Sequence, residues 1–246
     1  MKRLTITICL VLLMTALNIE SSETEFFVDA NSGSDLNKGL SEDNAWKTIN
    51  HALGEVEGTP DAPVTINIAE GTYNMLLGET FPIRVKSNVT LQGAGMDKTI
   101  LDAKGSGKNV MLIENTCHVN VTMMTITGGE CQSMPGGGIY IESSDAVVRQ
   151  CKITGNSAIN GGGIFGHSPS AEIIDCVISK NSAEVGGGVF ISFLTLKNCI
   201  IEDNDTEPSF FSGVGIGGGI VVFSHYSKFG AYILDCTIRN NRATWG

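Results

Sequence analysis

Three consecutive glycines occur four times in this sequence, and this repeat limits the possible folds more than any other feature. The blocks begin 25, 25 and 31 residues apart, at Gly136, Gly161, Gly186 and Gly217. Self-similarity at a fixed period of this length indicates a solenoid, in which each repeat is one coil that packs on its neighbours. The chain contains 30 glycines but only 6 prolines in 246 residues, which favours repeated tight turns over a flexible linker.

A second pattern runs in phase with the glycine blocks. In each unit a cysteine is followed five residues later by an asparagine, in the pairs Cys151 and Asn156, Cys176 and Asn181, Cys199 and Asn204, and Cys236 and Asn241. Short runs rich in β-branched residues separate the polar turns, and a helical period is absent. The sequence therefore predicts an all-β fold, a right-handed parallel β-helix in which each coil has three short strands.

The residues directly before the cysteines are predicted to bend the chain. Apolar positions lie three residues before each cysteine and two residues after it. If both face inward, the alternation of inward and outward side chains must shift by one residue between them. Asp and Asn tolerate the left-handed backbone of such a bend, and they occupy three of the four positions, Gln150, Asp175, Asn198 and Asp235.

Two columns of identical side chains follow from this register. The cysteines are predicted to stack inside the coils as free thiols, because parallel side chains one strand spacing apart are poorly oriented for disulfides. The asparagines are predicted to form an external or turn ladder in which each amide donates to the next.

The chain before the coils divides into two predicted segments. Residues 1–22 combine Lys2 and Arg3 with the apolar run Leu4 to Leu17, which predicts a secretory signal peptide and a secreted or cell-surface protein. An uncleaved anchor is the alternative. Residues 23–60 are predicted to form a strand, a polar loop and a capping helix over the open end of the solenoid. The helix is expected to begin at Ser41 or Asp43 and to place on one face Trp46, Ile49, Leu53 and Val56.

Coils are predicted to fill residues 61–246. Gly246 lies five residues after Asn241, where another glycine block would begin. This position predicts that the sequence is truncated and that the last coil exposes an apolar edge around Ile233 to Ile238.

Two sets of motifs resemble known β-helix families. The N-terminal segments 27–35, 45–49, 70–73 and 91–95 resemble pectate-lyase-like β-helix proteins. The Gly-Gly-Gly-Ile units, each followed by Cys-x-Ile-x-x-Asn, resemble the repeats of polymorphic outer-membrane proteins. The resemblance covers residues 26–246 and implies the fold. It specifies no reaction, because the superfamily includes polysaccharide lyases, epimerases, glycoside hydrolases and adhesins.

The charge distribution argues against several kinds of partner. A formal net charge of −10 disfavours nucleic acid and anionic lipid. An anionic polysaccharide would need a bridging cation or a basic patch, and no run of Lys or Arg supplies one. The positions one residue after and two residues before each cysteine assemble no charged cluster, and His118, His167 and His225 share no offset within the repeat. These observations favour a protein without catalytic activity.

Aromatic residues lie four positions after the start of three glycine blocks, at Tyr140, Phe165 and Phe190. Their sequence neighbours are apolar and are predicted to face inward, so the aromatic side chains are predicted to point outward. Such a ladder is suited to contact carbohydrate or a protein partner. The alternative is that these residues pack under a loop or belong to the core.

An acidic loop in the third unit is the candidate metal site. Asp203, Asp205 and Glu207 supply the hard oxygen ligands that calcium prefers, while a solvated loop is the alternative. The segment from Asp29 to Asp35 has partial calcium-loop spacing but lacks the terminal glutamate. Calcium is therefore the only cofactor that the sequence suggests.

Together these features predict a secreted or cell-surface β-helix that binds carbohydrate or mediates adhesion. The expected partner is a polysaccharide or cell-surface glycan, with no nucleic acid. Membrane association is expected only through an uncleaved signal or a missing C-terminal anchor. Two alternatives stay open: a polysaccharide lyase, epimerase or glycoside hydrolase of the pectate-lyase-like superfamily, and a structural stalk or passenger segment.

Overall fold

The predicted architecture is confirmed. The computed structural model describes residues 23–207, 215–223 and 230–244, and the predicted signal peptide lies outside them. These residues form a parallel β-solenoid of about six turns, with one short α-helix near the N-terminal end. No helix in the described ranges is long and apolar enough to cross a membrane.

The strands lie in four parallel sheets, numbered here in the order in which the chain crosses them. Sheet 1 contains Thr24–Val28, Val64–Ile68, Val89–Gly93, Val119–Thr122, Ala146–Arg149, Ala171–Ile174, Thr195–Lys197 and Tyr232–Leu234. Sheet 2 contains Gly71–Asn74, Thr99–Asp102, Thr125–Thr127, Lys152–Thr154, Val177–Ser179, Ile200–Glu202 and Thr237–Arg239. Sheet 3 contains Glu130–Cys131, Ser157–Asn160, Ser182–Val185 and Asp205–Thr206. Sheet 4 contains Ile83–Arg84, Met111–Glu114, Ile139–Glu142, Ile164–His167, Val189–Ile191 and Ile220–Val222.

A complete coil has four strands, so the prediction of three was wrong. The missed strand lies in sheet 3 and begins directly after Asn156, Asn181 or Asn204. The residue before each of these asparagines has a left-handed backbone, which ends the sheet 2 strand. Gly155 has φ 65° and Lys180 has φ 55° at this corner. Such a conformation breaks the pleat between sheet 2 and sheet 3.

The predicted bend before each cysteine is confirmed. Gln150, Asp175, Asn198 and Asp235 have φ values of 51°, 54°, 53° and 53°. Each coil therefore turns from sheet 1 to sheet 2 at a single left-handed residue. The positions flanking the bend face inward on both sides, as shown by Val148 and Ile153, which are fully buried.

The glycine block forms the corner between sheet 3 and sheet 4. Gly161, the first residue of its block, has φ 61°, a conformation that glycine adopts without steric cost. A Cβ on Gly163 would lie 2.6 Å from the carbonyl oxygen of Gly188 in the next coil. The block therefore recurs because neighbouring coils approach too closely there for any side chain.

The asparagine ladder lies at the turn between sheets 2 and 3, which is one of the two expected positions, and it is buried rather than external. Asn156, Asn181 and Asn204 are 2%, 1% and 1% exposed. The Nδ2 atom of Asn156 donates to Oδ1 of Asn181 at 3.0 Å, and Nδ2 of Asn181 donates to Oδ1 of Asn204 at 3.0 Å. Each amide also donates to a carbonyl of the preceding coil, and its Oδ1 accepts the backbone N–H of the preceding asparagine. The predicted direction of donation is confirmed, and the ladder ends at Asn241.

The cysteines form a second internal ladder. Cys151, Cys176 and Cys199 are buried free thiols, as predicted, while Cys236 in the last described coil is half-buried. The backbone N–H of Cys151 donates to the Cys176 Sγ at 3.4 Å. Burial raises the pKa of the Cys176 thiol, which disfavours its reactive thiolate form.

The corner between sheet 4 and sheet 1 carries a hydroxyl ladder that the sequence analysis did not predict. The Ser144 Oγ accepts the backbone N–H of Thr116 at 3.2 Å, and the Ser168 Oγ accepts the backbone N–H of Ser144 at 3.0 Å. Ser144 and Ser168 are buried. Every corner of these coils therefore has its own residue type, which either satisfies turn backbone groups or permits close packing of the backbones.

The N-terminal helix covers the first coils but begins later than predicted. It spans Ile49–Glu55, with Thr48 as its N-cap, whereas Ser41 precedes a separate 3-10 turn at Glu42–Asn44. Ile49, Leu53 and Val56 are buried in the core as predicted. Trp46 lies before the helix and stacks on Phe26 with ring centroids 5.1 Å apart.

Glu79 anchors the start of this helix from a distant part of the chain. Its carboxylate accepts the backbone N–H of Ile49 and the Asn50 side-chain amide, the latter at 2.7 Å. Glu79 is only 3% exposed. Burial raises its pKa, and the nearby negative charge of Asp35 acts in the same direction, while the hydrogen bonds from Ile49 and Asn50 oppose the shift.

At the other end, the last described coil exposes apolar side chains. Ile233 is 38% exposed and Ile238 is 50% exposed. The predicted apolar edge is therefore present.

The first prediction concerns the asparagine ladder. Replacing Asn181 with Ala removes the Oδ1 that accepts two N–H groups of Asn156, and the free energy of unfolding should fall by about 3 kcal/mol because buried donors lose their partner. Urea denaturation followed by circular dichroism measures this change. The control is Asn160→Ala on sheet 3, outside the ladder, which should change stability by about 0.5 kcal/mol or less. Equal losses in the two variants would contradict a structural role for the ladder.

The second prediction concerns Glu79. A carboxyl whose pKa is raised in the folded state binds more protons there than in the unfolded state, so its contribution to stability falls as pH rises above the ordinary value of 4.5. The Glu79→Gln variant lacks this titration. Its stability relative to wild type should therefore increase between about pH 4 and about pH 8, as measured by urea midpoints. A difference between Glu79→Gln and wild type that stays constant with pH would refute the assignment.

Candidate functional site

The outer face of sheet 1 carries a regular column of polar side chains. Asn67, Gln92, Thr122 and Arg149 are Cα partners on successive strands. The positions before them in the same strands, Ile66, Leu91, Val121 and Val148, are fully buried. Because side chains alternate along a strand, the polar column faces outward. A second column, two residues earlier in the same strands, contains Thr65, Thr90 and Asn120.

A cavity of 360 Å³ lies at the N-terminal end of this face. Its floor is formed by the first three strands of sheet 1, and its wall is formed by the loop that contains Glu42 and Ala45. The half-buried ring of Phe27 adds an aromatic surface. The polar residues at the cavity are Asp29, Glu42, Asn67 and Gln92. An apolar lining with a few polar groups is typical of small-molecule and saccharide sites.

A second, smaller hollow of 220 Å³ continues along the same face. It is lined by Thr90, Asn120, Val121, Thr122, Val147 and Arg149. Thr90 is adjacent in its strand to Leu91 and two residues from Gln92, which lines the larger cavity. The two hollows therefore lie along one surface, which we call the sheet 1 groove.

Hydrogen bonds join the polar side chains of the groove across coils. Asn67 Nδ2 donates to Glu25 Oε2 at 3.0 Å, and Gln92 Nε2 donates to Asn67 Oδ1 at 3.2 Å. Asn120 Nδ2 lies 3.4 Å from Thr90 Oγ1. These contacts hold the amides in place, while Gln92 and Asn120 stay exposed to solvent. The arrangement leaves further amide donors and acceptors directed outward for a polar ligand.

The electrostatic character of the groove changes along its length. Asp29 and Glu42 line the larger cavity, and no basic residue lines it. Burial raises the pKa of Asp29, but hydrogen bonds from the Ser32 hydroxyl and from the backbone N–H groups of Asn31 and Ser32 outweigh this effect and lower the pKa overall. Arg149 lies at the other hollow, 3.9 Å from Asp175.

The predicted aromatic column is on the outer face of sheet 4. Tyr140, Phe165 and Phe190 are Cα partners, and Ile139 and Ile141 beside Tyr140 are fully buried. The Tyr140 and Phe165 rings stack at 5.3 Å with an interplanar angle of 6°, and Phe165 and Phe190 stack at 5.4 Å with an angle of 8°. Phe165 therefore has an aromatic ring against both faces. A ligand would reach the edges of these rings rather than the faces on which sugars stack.

A column of ionisable side chains flanks these rings. Glu114, Glu142 and His167 are Cα partners on sheet 4. The Tyr140 hydroxyl donates to Glu142 at 2.6 Å, and Arg84 pairs with Glu114 at 2.9 Å. Burial and the neighbouring carboxylates raise the pKa of Tyr140. Both carboxylates are already engaged in intramolecular contacts.

The predicted calcium ligands are not brought together as a site in the described residues. Asp205 accepts two hydrogen bonds from the Arg242 guanidinium, the shorter at 2.8 Å, and Asp203 occupies a left-handed corner. Glu207 is exposed. Within residues 23–207, 215–223 and 230–244, no group of three or more His, Cys, Asp or Glu side chains is arranged to hold a metal ion. Calcium binding by this loop stays a prediction.

The other acidic segment has a structural role. Asp29 caps its own turn through the backbone N–H groups of Asn31 and Ser32. Asp35 accepts the backbone N–H groups of Lys47 and Thr48 at 2.8 Å and 3.0 Å. These hydrogen bonds fold the loop that walls the cavity, which explains the calcium-like spacing without a metal.

The sheet 1 groove was missed by the sequence analysis, although a signal was present. The strands Val64–Ile68 and Val89–Gly93 alternate apolar with polar residues, and the polar ones are Thr65, Asn67, Thr90 and Gln92. Such alternation identifies an outward polar face. The covering loop, which turns that face into a cavity, leaves no comparable signal.

Comparisons with known proteins agree with this architecture. In the solved structures, the chain is similar to pectin methylesterase PemA from Erwinia chrysanthemi, with 16% identity and a TM-score of 0.52 over 87% of this chain and 66% of that one. It is also similar to a pectin methylesterase in complex with a hexasaccharide, with 17% identity and a TM-score of 0.53 over 89% of this chain and 67% of that one. The chain thus spans about two thirds of the length of these proteins. At such identities the likeness shows a parallel β-helix fold and no shared activity.

Sequence comparison identifies the family. No curated protein matches the chain significantly. Residues 31–241 match the family described as protein of unknown function, DUF1565. This match includes the loop that walls the cavity, all four glycine blocks and the complete asparagine ladder. The chain therefore belongs to the DUF1565 family.

Proposed function

We propose that this protein binds a polysaccharide along the sheet 1 groove. The observation that carries the proposal is the continuous outward column of Asn67, Gln92 and Thr122, which leads into the 360 Å³ cavity beside Phe27. Amide and hydroxyl groups pair with sugar hydroxyls as both donors and acceptors. An aromatic ring offers an apolar surface for the C–H face of a sugar.

The spacing of the coils supports an extended ligand parallel to the solenoid axis. Successive strands lie about 4.8 Å apart, which is close to the length of one pyranose unit in an extended chain. Each sugar along the groove would therefore meet one coil and one member of the polar column. The four positions from Asn67 to Arg149 accommodate about four units.

The structural neighbours are consistent with this class of ligand. Both neighbours named above are pectin methylesterases, and one is in complex with a hexasaccharide. Binding by this chain rests on its own groove, because the likeness extends to fold alone. Export to the cell exterior or surface, predicted from residues 1–22, would place the protein where polysaccharides occur. The likeness of the repeats to polymorphic outer-membrane proteins and a role in adhesion are further predictions of the same kind.

The aromatic column on sheet 4 is a second possible contact surface. Its members, Tyr140, Phe165 and Phe190, were predicted to contact a glycan. Because the ring faces are stacked on one another, the sheet 1 groove has the better geometry for a sugar. Catalysis is not part of the proposal, since Glu114 and Glu142 are engaged with Arg84 and Tyr140.

The third prediction distinguishes the two surfaces. The mature protein should be retarded in affinity electrophoresis by at least one soluble polysaccharide, in a panel that includes methyl-esterified pectin. Gln92→Ala removes an exposed amide from the groove and should weaken binding about three- to tenfold, which corresponds to the loss of one hydrogen bond. Asn160→Ala, an amide on sheet 3, is the matched control and should bind as wild type does.

Phe165→Leu tests the aromatic column with a conservative loss of the ring. The groove proposal expects unchanged affinity in this variant, with folding checked by circular dichroism. Loss of binding in Phe165→Leu together with normal binding in Gln92→Ala would transfer the site to sheet 4. Failure of wild type to bind any polysaccharide in the panel would refute the proposed function.

A further inference from the structure

We infer that the cavity end of the sheet 1 groove selects uncharged sugar units and disfavours free uronates. This inference rests on the proposed function and adds the chemical class of the ligand. It follows from the distribution of charged side chains around the larger cavity.

Carboxylates are concentrated at the cavity end of the groove. Asp29 and Glu42 line the cavity, and Glu25 accepts a hydrogen bond from Asn67 at its floor. The oxygens of Asp29 accept hydrogen bonds from Asn31 and Ser32, which fixes the charged form in place. Glu42 and Glu25 are exposed. A carboxylate on a sugar in this cavity would therefore meet like charges on two sides.

No lining residue supplies the opposite charge. Neither lysine nor arginine is among the residues that line the cavity. Arg149 is in the same column as Asn67 but three strands further along, which corresponds to about 14 Å. The Debye length at physiological ionic strength is about 8 Å, so the charge of Arg149 is largely screened at the cavity. Asp175 further offsets it, at 3.9 Å.

The polar groups that do face the cavity suit a neutral chain. Asn67 and Gln92 offer amide donors and acceptors, and Phe27 offers an aromatic surface. Carboxylates such as Glu42 accept hydrogen bonds from sugar hydroxyls, so they favour a hydroxylated ligand and oppose an anionic one. The ligand class is therefore a neutral polysaccharide or a uronan whose carboxyl groups are esterified.

The test uses one polymer in two charge states. Homogalacturonan that is fully methyl-esterified and the same preparation after de-esterification differ only in the charge of the carboxyl groups. Affinity electrophoresis of wild type at low ionic strength should show at least about tenfold weaker retardation by the de-esterified form. The reason is that a sugar carboxylate in the cavity would be repelled by the nearby carboxylates of the protein, and such repulsion is strong near a protein surface. The difference should shrink as sodium chloride is added. Equal or stronger retardation by the de-esterified polymer would overturn the inference.

Charge variants locate the effect. Glu42→Lys should raise the affinity for the de-esterified polymer at least threefold relative to the affinity for the esterified polymer. Glu130→Lys, on sheet 3, makes the same change of net charge away from the groove and should alter neither. An equal gain in both variants would assign the selectivity to overall charge and contradict a role for the cavity.

The outcomes separate the two proposals. If neither polymer nor any neutral glycan binds, the proposed function fails. If both charge states bind equally and Gln92→Ala weakens both, the groove is the site and only the inference about charge fails.

Discussion

The amide hydrogen bonds between stacked asparagines are the interaction on which the rest of this structure depends. Asn156, Asn181 and Asn204 are buried, and each bonds to the coil before it and to the coil after it. A shift of one residue in any coil would leave several buried donors and acceptors unpaired, at a cost of about 1–3 kcal/mol each. The ladder therefore fixes the register of the coils that contain it and places the cysteine and glycine columns beside it.

The other corners of the coil also allow the chain to turn and the coils to pack closely, but they use different residues. A single left-handed residue precedes each inward cysteine, a glycine block admits close approach of backbones, and the serine hydroxyls accept turn N–H groups. All of these residues face the interior or the turns. Because the corner residues satisfy the turn backbone and allow the coils to stack, the outward positions of the strands are free to vary. Sheet 1 uses this freedom for amides and hydroxyls, and sheet 4 uses it for stacked rings.

The same geometry explains why a groove forms at one end of the solenoid. A stack of short strands gives a flat surface, which holds a ligand poorly. The loop held by Asp35 and Trp46 stands over the first strands of sheet 1 and converts the flat surface into a cavity. The N-terminal segment thus has two roles, since its helix covers the core and its loop shapes the candidate site. Glu79 couples the two by holding the start of the helix.

The sequence alone determined the solenoid, the inward thiols, the left-handed bends and the direction of the asparagine ladder, because these depend on a residue pattern that repeats at every coil. It did not determine that Gly155 and Lys180 separate the sheet 2 strand from a fourth strand in sheet 3. It also did not determine that the asparagines are buried or that the aromatic rings cover one another's faces. Nor did it reveal that Asp205 is paired with Arg242 or that Glu42 lies beside Gln92. Asp205 and Arg242 each follow a ladder asparagine and are paired between neighbouring coils, whereas Glu42 reaches the cavity through a non-repeating loop. Only tertiary structure decides where this loop lies, because the position of a non-repeating loop over a sheet depends on many distant contacts and leaves no period in the sequence.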